Sequence, residues 1–208
     1  KASPMSVLHP EPLIAGPAES LPVQVVLKDG ALDGAGGAAT EAWARAHDFT
    51  GKTGQLLILP GPDGSVAGAL FGAGDTFDPT SARALAARLP AGTWHLEGIS
   101  GADAETAALA FALGGYRFDR YRARPEAGRP QLVAPKGMDV AAALRIAAAC
   151  ALAREMVDTP AADMGPLQIE TIAREIAEES QATITVTEGA ALLEANYPAI
   201  HAVGRAAS

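Results

Sequence analysis

Hydrophobic and polar residues alternate over the first two thirds of the chain in runs of strand and helix length. Short apolar runs at residues 23–28 and 55–59 predict buried strands. Turn residues at 61–64 separate the second run from another apolar run at 66–71, which predicts a hairpin. Mixed charged and apolar residues at 39–49 are typical of a surface helix.

Further elements of the same kind follow. Asp78 begins a predicted helix that reaches Leu89, where Pro90 ends it. Strands at 93–96 and 131–134 enclose a predicted helix over 103–113. This order predicts an α/β layered domain with a mostly parallel or mixed sheet.

The pattern changes after Pro135. A helix over residues 140–157, with Asp139 as its N-cap and Pro160 after its end, is apolar on most faces. Such a helix is buried between layers or between domains. Two interpretations remain open: a core helix of the first domain, or a helix at a domain junction.

The last fifty residues begin a second unit. Pro166 begins an amphipathic helix to Glu179, and residues 182–187 and 199–203 predict two strands. Two strands are too few for a layer with its own core, so we expect this second α/β unit to stop in mid-domain at Ser208. The acidic run of this helix, Glu175, Glu178 and Glu179, is interpreted as a solvated face.

Composition and charge argue against several classes of protein. Of the 208 residues, 49% are hydrophobic and 19% charged, which excludes general disorder. A net charge of −8 argues against nonspecific binding to nucleic acid or anionic lipid. The longest apolar run, 140–153, is short and contains Arg145, so no membrane span is predicted. A single cysteine, Cys150, excludes an internal disulfide.

Few residues are candidates for chemistry. Gly51-Lys52-Thr53 resembles the end of a phosphate-binding loop, but Ala46 stands where that motif needs glycine, and a surface turn is the better interpretation. The four histidines are far apart in sequence, which disfavours a zinc site.

One arginine-rich segment stands out between residues 116 and 129, where arginines alternate with aromatic residues. Arginine binds phosphate in a bidentate manner and aromatic rings stack on bases, so an anion or nucleic-acid contact is one interpretation. A soluble edge or a subunit contact is the other, because Asp119 and Glu126 dilute the charge. The weak anion-contact candidates are Arg117, Arg120, Arg122 and Arg124, with Arg129 nearby.

The segment 154–166 (REMVDTPAADMGP) resembles the start of the catalytic domain in leucyl (cytosol) aminopeptidases. Residues 199–206 and 112–119 are also similar to segments of that family. Asp158 departs from the usual Asn, and Arg205-Ala206 departs from the usual Gly. The junction motif is marked by Asp158, Thr159, Pro160 and Pro166.

The resemblance implies an architecture and an activity. The architecture is a three-layer, macro-domain-like N-terminal α/β domain (1–137), a linker helix (138–158) and the start of a metallopeptidase catalytic domain (159–208). The implied parent is a cytoplasmic, hexameric enzyme that removes N-terminal amino acids from peptides with two divalent metal ions, Mn or Zn.

The resemblance assigns no catalytic or metal-binding residue to this chain, because the family's ligands lie beyond the segment that ends at Gly204. We therefore expect these 208 residues to be inactive alone and to hold no cofactor. The alternative is a binding or regulatory module for a nucleotide-like ligand or DNA, which the negative charge opposes.

Overall fold

The computed structural model describes residues 11–16, 18–30, 37–121 and 128–205. The described residues form two compact units, the first ending at Asp158 and the second beginning at Thr159.

The described residues of the first unit form a six-stranded mixed sheet. Its strands are β1 (Leu13–Ile14), β2 (Leu21–Leu27), β3 (Leu56–Pro60), β4 (Val66–Gly74), β5 (Gly92–Glu97) and β6 (Pro130–Val133). Their order in the sheet is β1-β6-β5-β2-β4-β3. Neighbouring strands are parallel except β3 and β4, which form an antiparallel pair and confirm the predicted hairpin. The sequence pattern missed β1, because two residues are too few to show a period.

The helices of this unit begin and end close to the predicted positions. Asp78 accepts a hydrogen bond from the Thr80 amide at 2.9 Å and caps the 3-10 turn that begins at Pro79. Asp139 does the same for the helix that begins at Val140, through the Ala142 amide at 2.9 Å. The helices are α1 (Gly37–Ala46), a 3-10 turn (Pro79–Ala84) continuing as α2 (Leu85–Arg88), α3 (Gly101–Gly114) and α4 (Val140–Asp158).

Side chains of the sheet point alternately into two clusters, so this unit has three layers. In β4, Ala69 and Phe71 join the larger cluster while Leu70 joins the smaller one. The larger cluster packs α2, α3 and α4 on one face, and the smaller one packs Ala44 of α1 on the other. The predicted α/β layered fold is therefore confirmed.

Alanines let α3 lie close against the sheet and the neighbouring helices. Ala107, Ala108 and Ala112 are fully buried beside Phe111. At the end of the helix, a Cβ on Gly114 would collide with the carbonyl oxygen of Arg83, so only glycine allows this approach. The C-terminus of α3 is thereby fixed against the 3-10 turn.

The second unit differs from its prediction. Its described helices are α5 (Pro166–Ser180), α6 (Ala191–Glu194) and α7 (Pro198–Gly204). The strand predicted at 199–203 is wrong, because Pro198 occupies the first turn of α7 and presets its helical φ. His201 therefore lies in a helix, where it is half-buried.

Residues 182–187 keep the alternating pattern but form no strand. A strand needs a partner for its backbone groups, and none of the described residues pairs with this segment. Glu178 and Glu179 are exposed as expected, whereas Glu175 is half-buried. Over the described ranges, no helix combines the length and apolar character needed to cross a membrane.

Candidate functional site

The junction residue Asp158 is the last residue of α4 and is held by Tyr116. The Tyr116 hydroxyl donates to Asp158 Oδ2 at 2.8 Å. Burial raises the pKa of Tyr116 well above its ordinary value, and the bond to Asp158 and the charges of Asp158 and Glu155 raise it further, against Arg154. The phenol therefore stays protonated as a donor at neutral pH.

Arg154 lies one turn before Asp158 and reaches the end of α3. Its Nη1 donates to the Leu113 carbonyl oxygen at 2.6 Å, and its Cζ lies 5.7 Å from the centre of the Tyr116 ring. The last carbonyls of a helix lack partners within the helix, and a guanidinium satisfies one of them here. The last turn of α4 is thus tied to the C-terminus of α3.

The other junction residues end one helix and begin the next. Thr159 is buried, and the Asp163 amide donates to the Pro160 carbonyl at 2.8 Å in a turn. Pro166 occupies the first turn of α5. The motif therefore acts locally as a helix stop and a helix start.

The arginine segment is organised around one carboxylate. Arg117 Nε donates to Asp119, and Arg129 Nη2 lies 3.5 Å from the same oxygen, Oδ2. Arg129 Nη1 also donates to the Gly115 carbonyl at 3.3 Å. Burial lowers the pKa of Arg129, the Arg117 charge lowers it further, and Asp119 opposes both.

The remaining candidates carry less structural information. Arg120 is exposed, with its Cζ 5.8 Å from the centre of the Tyr121 ring. Arg122 and Arg124 lie outside the described residues. An anion contact at this segment stays a prediction, and two of its arginines share Asp119.

The turn at Gly51-Lys52-Thr53 packs against the end of β4. The Gly74 amide donates to the Gly51 carbonyl at 2.8 Å, and a Cβ on Gly72 would collide with the carbonyl oxygen of Lys52. These residues precede β3 rather than a helix. The turn therefore packs the backbone closely and lacks the setting of a phosphate-binding loop.

The described residues do not provide a site for the implied divalent metals. Among them, no three His, Cys, Asp or Glu side chains converge as metal ligands would. His95 lies 3.0 Å from the Ser20 hydroxyl and 3.1 Å from Glu97 Oε1, within a local chain of hydrogen bonds. We therefore derive no metal chemistry from these residues.

Two family models match the chain in consecutive segments. Residues 21–135 match the M17 aminopeptidase N-terminal domain, and residues 151–208 match the catalytic domain of the cytosol aminopeptidase family. The chain belongs to the cytosol aminopeptidase family. The family resemblance found in the sequence is thereby confirmed.

Curated relatives agree with this membership. The chain is 30% identical to a probable cytosol aminopeptidase of Rhodococcus erythropolis, over 76% of this chain and 36% of that protein. It is 28% identical to a probable cytosol aminopeptidase of Rhodococcus opacus, over 89% of this chain and 41% of that protein. The chain thus spans about two fifths of the length of these relatives.

Solved structures share the fold. The cytosol aminopeptidase of Coxiella burnetii has 28% identity and a TM-score of 0.73, over 93% of this chain and 43% of that one. The bottromycin maturation enzyme BotP in complex with Mn has 28% identity and a TM-score of 0.66, over 85% of this chain and 40% of that one.

Sequence reasoning missed how the junction is fixed. Arg154 and Tyr116 both lie in segments that resemble the family, but their contact joins residues far apart in sequence. A single sequence carries no signal for such a pair. The bonds from Tyr116 to Asp158 and from Arg154 to Leu113 arise only when the folded chain brings these residues together.

Proposed function

We propose that these 208 residues are the non-catalytic N-terminal portion of a leucyl aminopeptidase that removes N-terminal amino acids from peptides. The observation that carries the proposal is the consecutive match to an N-terminal-domain model and to a catalytic-domain model. The family relatives extend well beyond the matched length, which leaves room for a catalytic centre elsewhere in the parent.

The proposed domains are an N-terminal macro-like domain (1–137), a linker helix (138–158) and the start of the catalytic domain (159–208). The three layers of the first unit support the first assignment. The unit boundary after Asp158 and the bonds that hold α4 support the second. In this proposal the linker helix moves with the N-terminal domain, because Tyr116 and Arg154 fix its last turn.

The parent would use two divalent metal ions, Mn or Zn, to polarise the scissile carbonyl and activate water. The Mn complex of the structural neighbour BotP supports a metal of this class. The names of the relatives support a cytoplasmic location, and the family resemblance supports a hexamer. The N-terminal domain then serves assembly and access rather than chemistry.

The test measures hydrolysis of a leucyl chromogenic amide with and without Mn²⁺ or Zn²⁺. We expect metal-dependent hydrolysis by the full-length parent and none by the 208-residue chain. Metal-dependent turnover by the chain itself would contradict the non-catalytic assignment. A full-length parent that folds, binds metal and leaves every N-terminal aminoacyl amide intact would contradict the aminopeptidase assignment.

A further inference from the structure

A cleft of about 450 Å³ lies in the first unit, between the 3-10 turn before α2 and the C-terminal half of α3. We call it the α3 cleft. Its volume is within the range of small-molecule sites. Its lining combines an apolar floor with hydroxyl and guanidinium groups: Thr80, Arg83, Thr106, Leu109, Ala110, Leu113, Gly114, Tyr116 and Arg154.

The walls of the α3 cleft are held by contacts already described. The close approach of Gly114 to Arg83 fixes one wall. The bond from Arg154 to Leu113 and the contact with Tyr116 fix the other. The cleft is therefore formed before any ligand arrives, which lowers the entropy cost of binding.

The polar groups of the cleft favour an anion. In the part of the chain that the structure describes, two guanidinium groups and no carboxylate line it. Among the described residues, the side chains of Arg83 and Thr106 form no hydrogen bond or ion pair, so both have donors to offer. Three acidic groups act on the lining from outside it. Asp78 accepts from Thr80 and feels the charge of Arg83, and both lower the pKa of Asp78. Asp158 accepts from Tyr116, and the charge of Glu155 also acts on that phenol.

The floor of the cleft favours an apolar side chain beside that anion. Leu109 and Leu113 are half-buried and Ala110 is buried, so a branched aliphatic group gains contact with apolar carbon. Arginine binds a carboxylate through two parallel hydrogen bonds. An ammonium group finds no carboxylate partner among the described residues of this lining.

We propose that the α3 cleft binds the C-terminal residue of a peptide, with its α-carboxylate on Arg83 and an apolar side chain on Leu109 and Leu113. A free amino acid carries the same carboxylate but adds an unpaired ammonium, and it binds more weakly. This site is separate from the catalytic function proposed above. Its occupancy is measured without any peptidase readout, so the two proposals fail independently.

The experiment titrates the 208-residue chain with N-acetyl-L-leucine and follows the amide resonances of Leu113 and Gly114. Three comparison ligands each differ from N-acetyl-L-leucine in one group. N-acetyl-L-leucinamide lacks the carboxylate, N-acetylglycine lacks the leucyl side chain, and L-leucine carries a free ammonium group in place of the acetylated nitrogen. We expect each of these three to bind about tenfold more weakly or worse. Arg83→Gln should weaken the binding of N-acetyl-L-leucine to the same degree. Arg45→Gln is the control, because it removes an exposed arginine of α1 and should leave the binding unchanged.

Four results would overturn the assignment. Equal binding of the amide and the acid would exclude a carboxylate site. Equal binding of L-leucine would exclude a preference for peptide C-termini. Unchanged binding in Arg83→Gln, or an equal loss in Arg45→Gln, would show that the cleft does not hold the anion. Leu109→Ala supplies a second check, because it should reduce the difference in affinity between N-acetyl-L-leucine and N-acetylglycine.

Discussion

The two units of the chain differ in how their apolar residues are covered. In the first unit, Trp94, Phe71 and Phe111 are fully buried against the sheet. In the second unit, Ala177 is the one buried hydrophobic residue among those described. Ile172, Ile184 and Leu192 are half-buried. Eight further large apolar side chains are exposed: Leu167, Ile169, Ile176, Val186, Leu193, Tyr197, Ile200 and Val203.

The difference shows what a sheet contributes to an α/β fold. Helix α5 has a proline in its first turn and a clear apolar stripe, so it forms from local signals. Without strands beside it among the described residues, that stripe is only partly buried: Ala177 is buried and Ile172 half-buried, whereas Ile176 is exposed. Local signals therefore build the helices of both units, whereas burial of an apolar core occurs only where strands pair.

The largest effect is expected from matched truncations in the two units. Phe111→Ala removes a side chain with 0% exposure and should lower the free energy of unfolding by about 3–5 kcal/mol. Ile176→Ala removes a side chain with 43% exposure and should cost about 0.5 kcal/mol or less. Urea unfolding of both variants measures the difference. Equal losses would mean that Ile176 is packed in solution.

A smaller effect is expected where the linker helix is fixed. Tyr116→Phe removes the bond to Asp158 and should lower the free energy of unfolding by about 0.5–1 kcal/mol. Ser180→Ala, which removes an exposed hydroxyl bond in α5, is the matched control in the second unit. Urea unfolding again supplies the measurement, and a loss in Ser180→Ala as large as that in Tyr116→Phe would contradict the comparison.

The hydrogen bond between Tyr116 and Asp158 should also make the free energy of unfolding depend on pH. The folded pKa of Tyr116 is raised above the ordinary 10.0, so its stabilising contribution is complete below pH 10 and is lost as pH rises through the folded pKa. Stability at alkaline pH should therefore fall more steeply in the wild-type chain than in Tyr116→Phe. Parallel pH profiles would show that the phenol titrates normally.

The smallest effect is expected at the arginine segment. Because Arg117 pairs with Asp119 and the chain carries −8, duplex DNA should not bind measurably at physiological salt. Arg117→Gln with Arg120→Gln should then leave a gel-shift assay unchanged. A salt-dependent shift that this double variant abolishes would revive the nucleic-acid interpretation.

Sequence predicted the fold better than the site, for physical reasons. Hydrophobic period and turn residues are local, so the hairpin and the helices from α3 to α5 fall close to their predicted positions. The same local signal failed at residues 182–187, where strand formation depends on a partner segment. At 199–203 the apolar run forms a helix, because Pro198 in front of it occupies the first helical turn. Contacts such as Tyr116 with Asp158 depend on packing and leave no period in sequence.

The most direct test is amide hydrogen exchange across the boundary at Asp158. Amides of β2, β4 and α3 should exchange only through global unfolding, because they lie in the covered core. Amides of α5 and α7 should exchange through local opening, many times faster. Protection in α5 equal to that in β4 would contradict the account, since it would show that the second unit folds as firmly as the first.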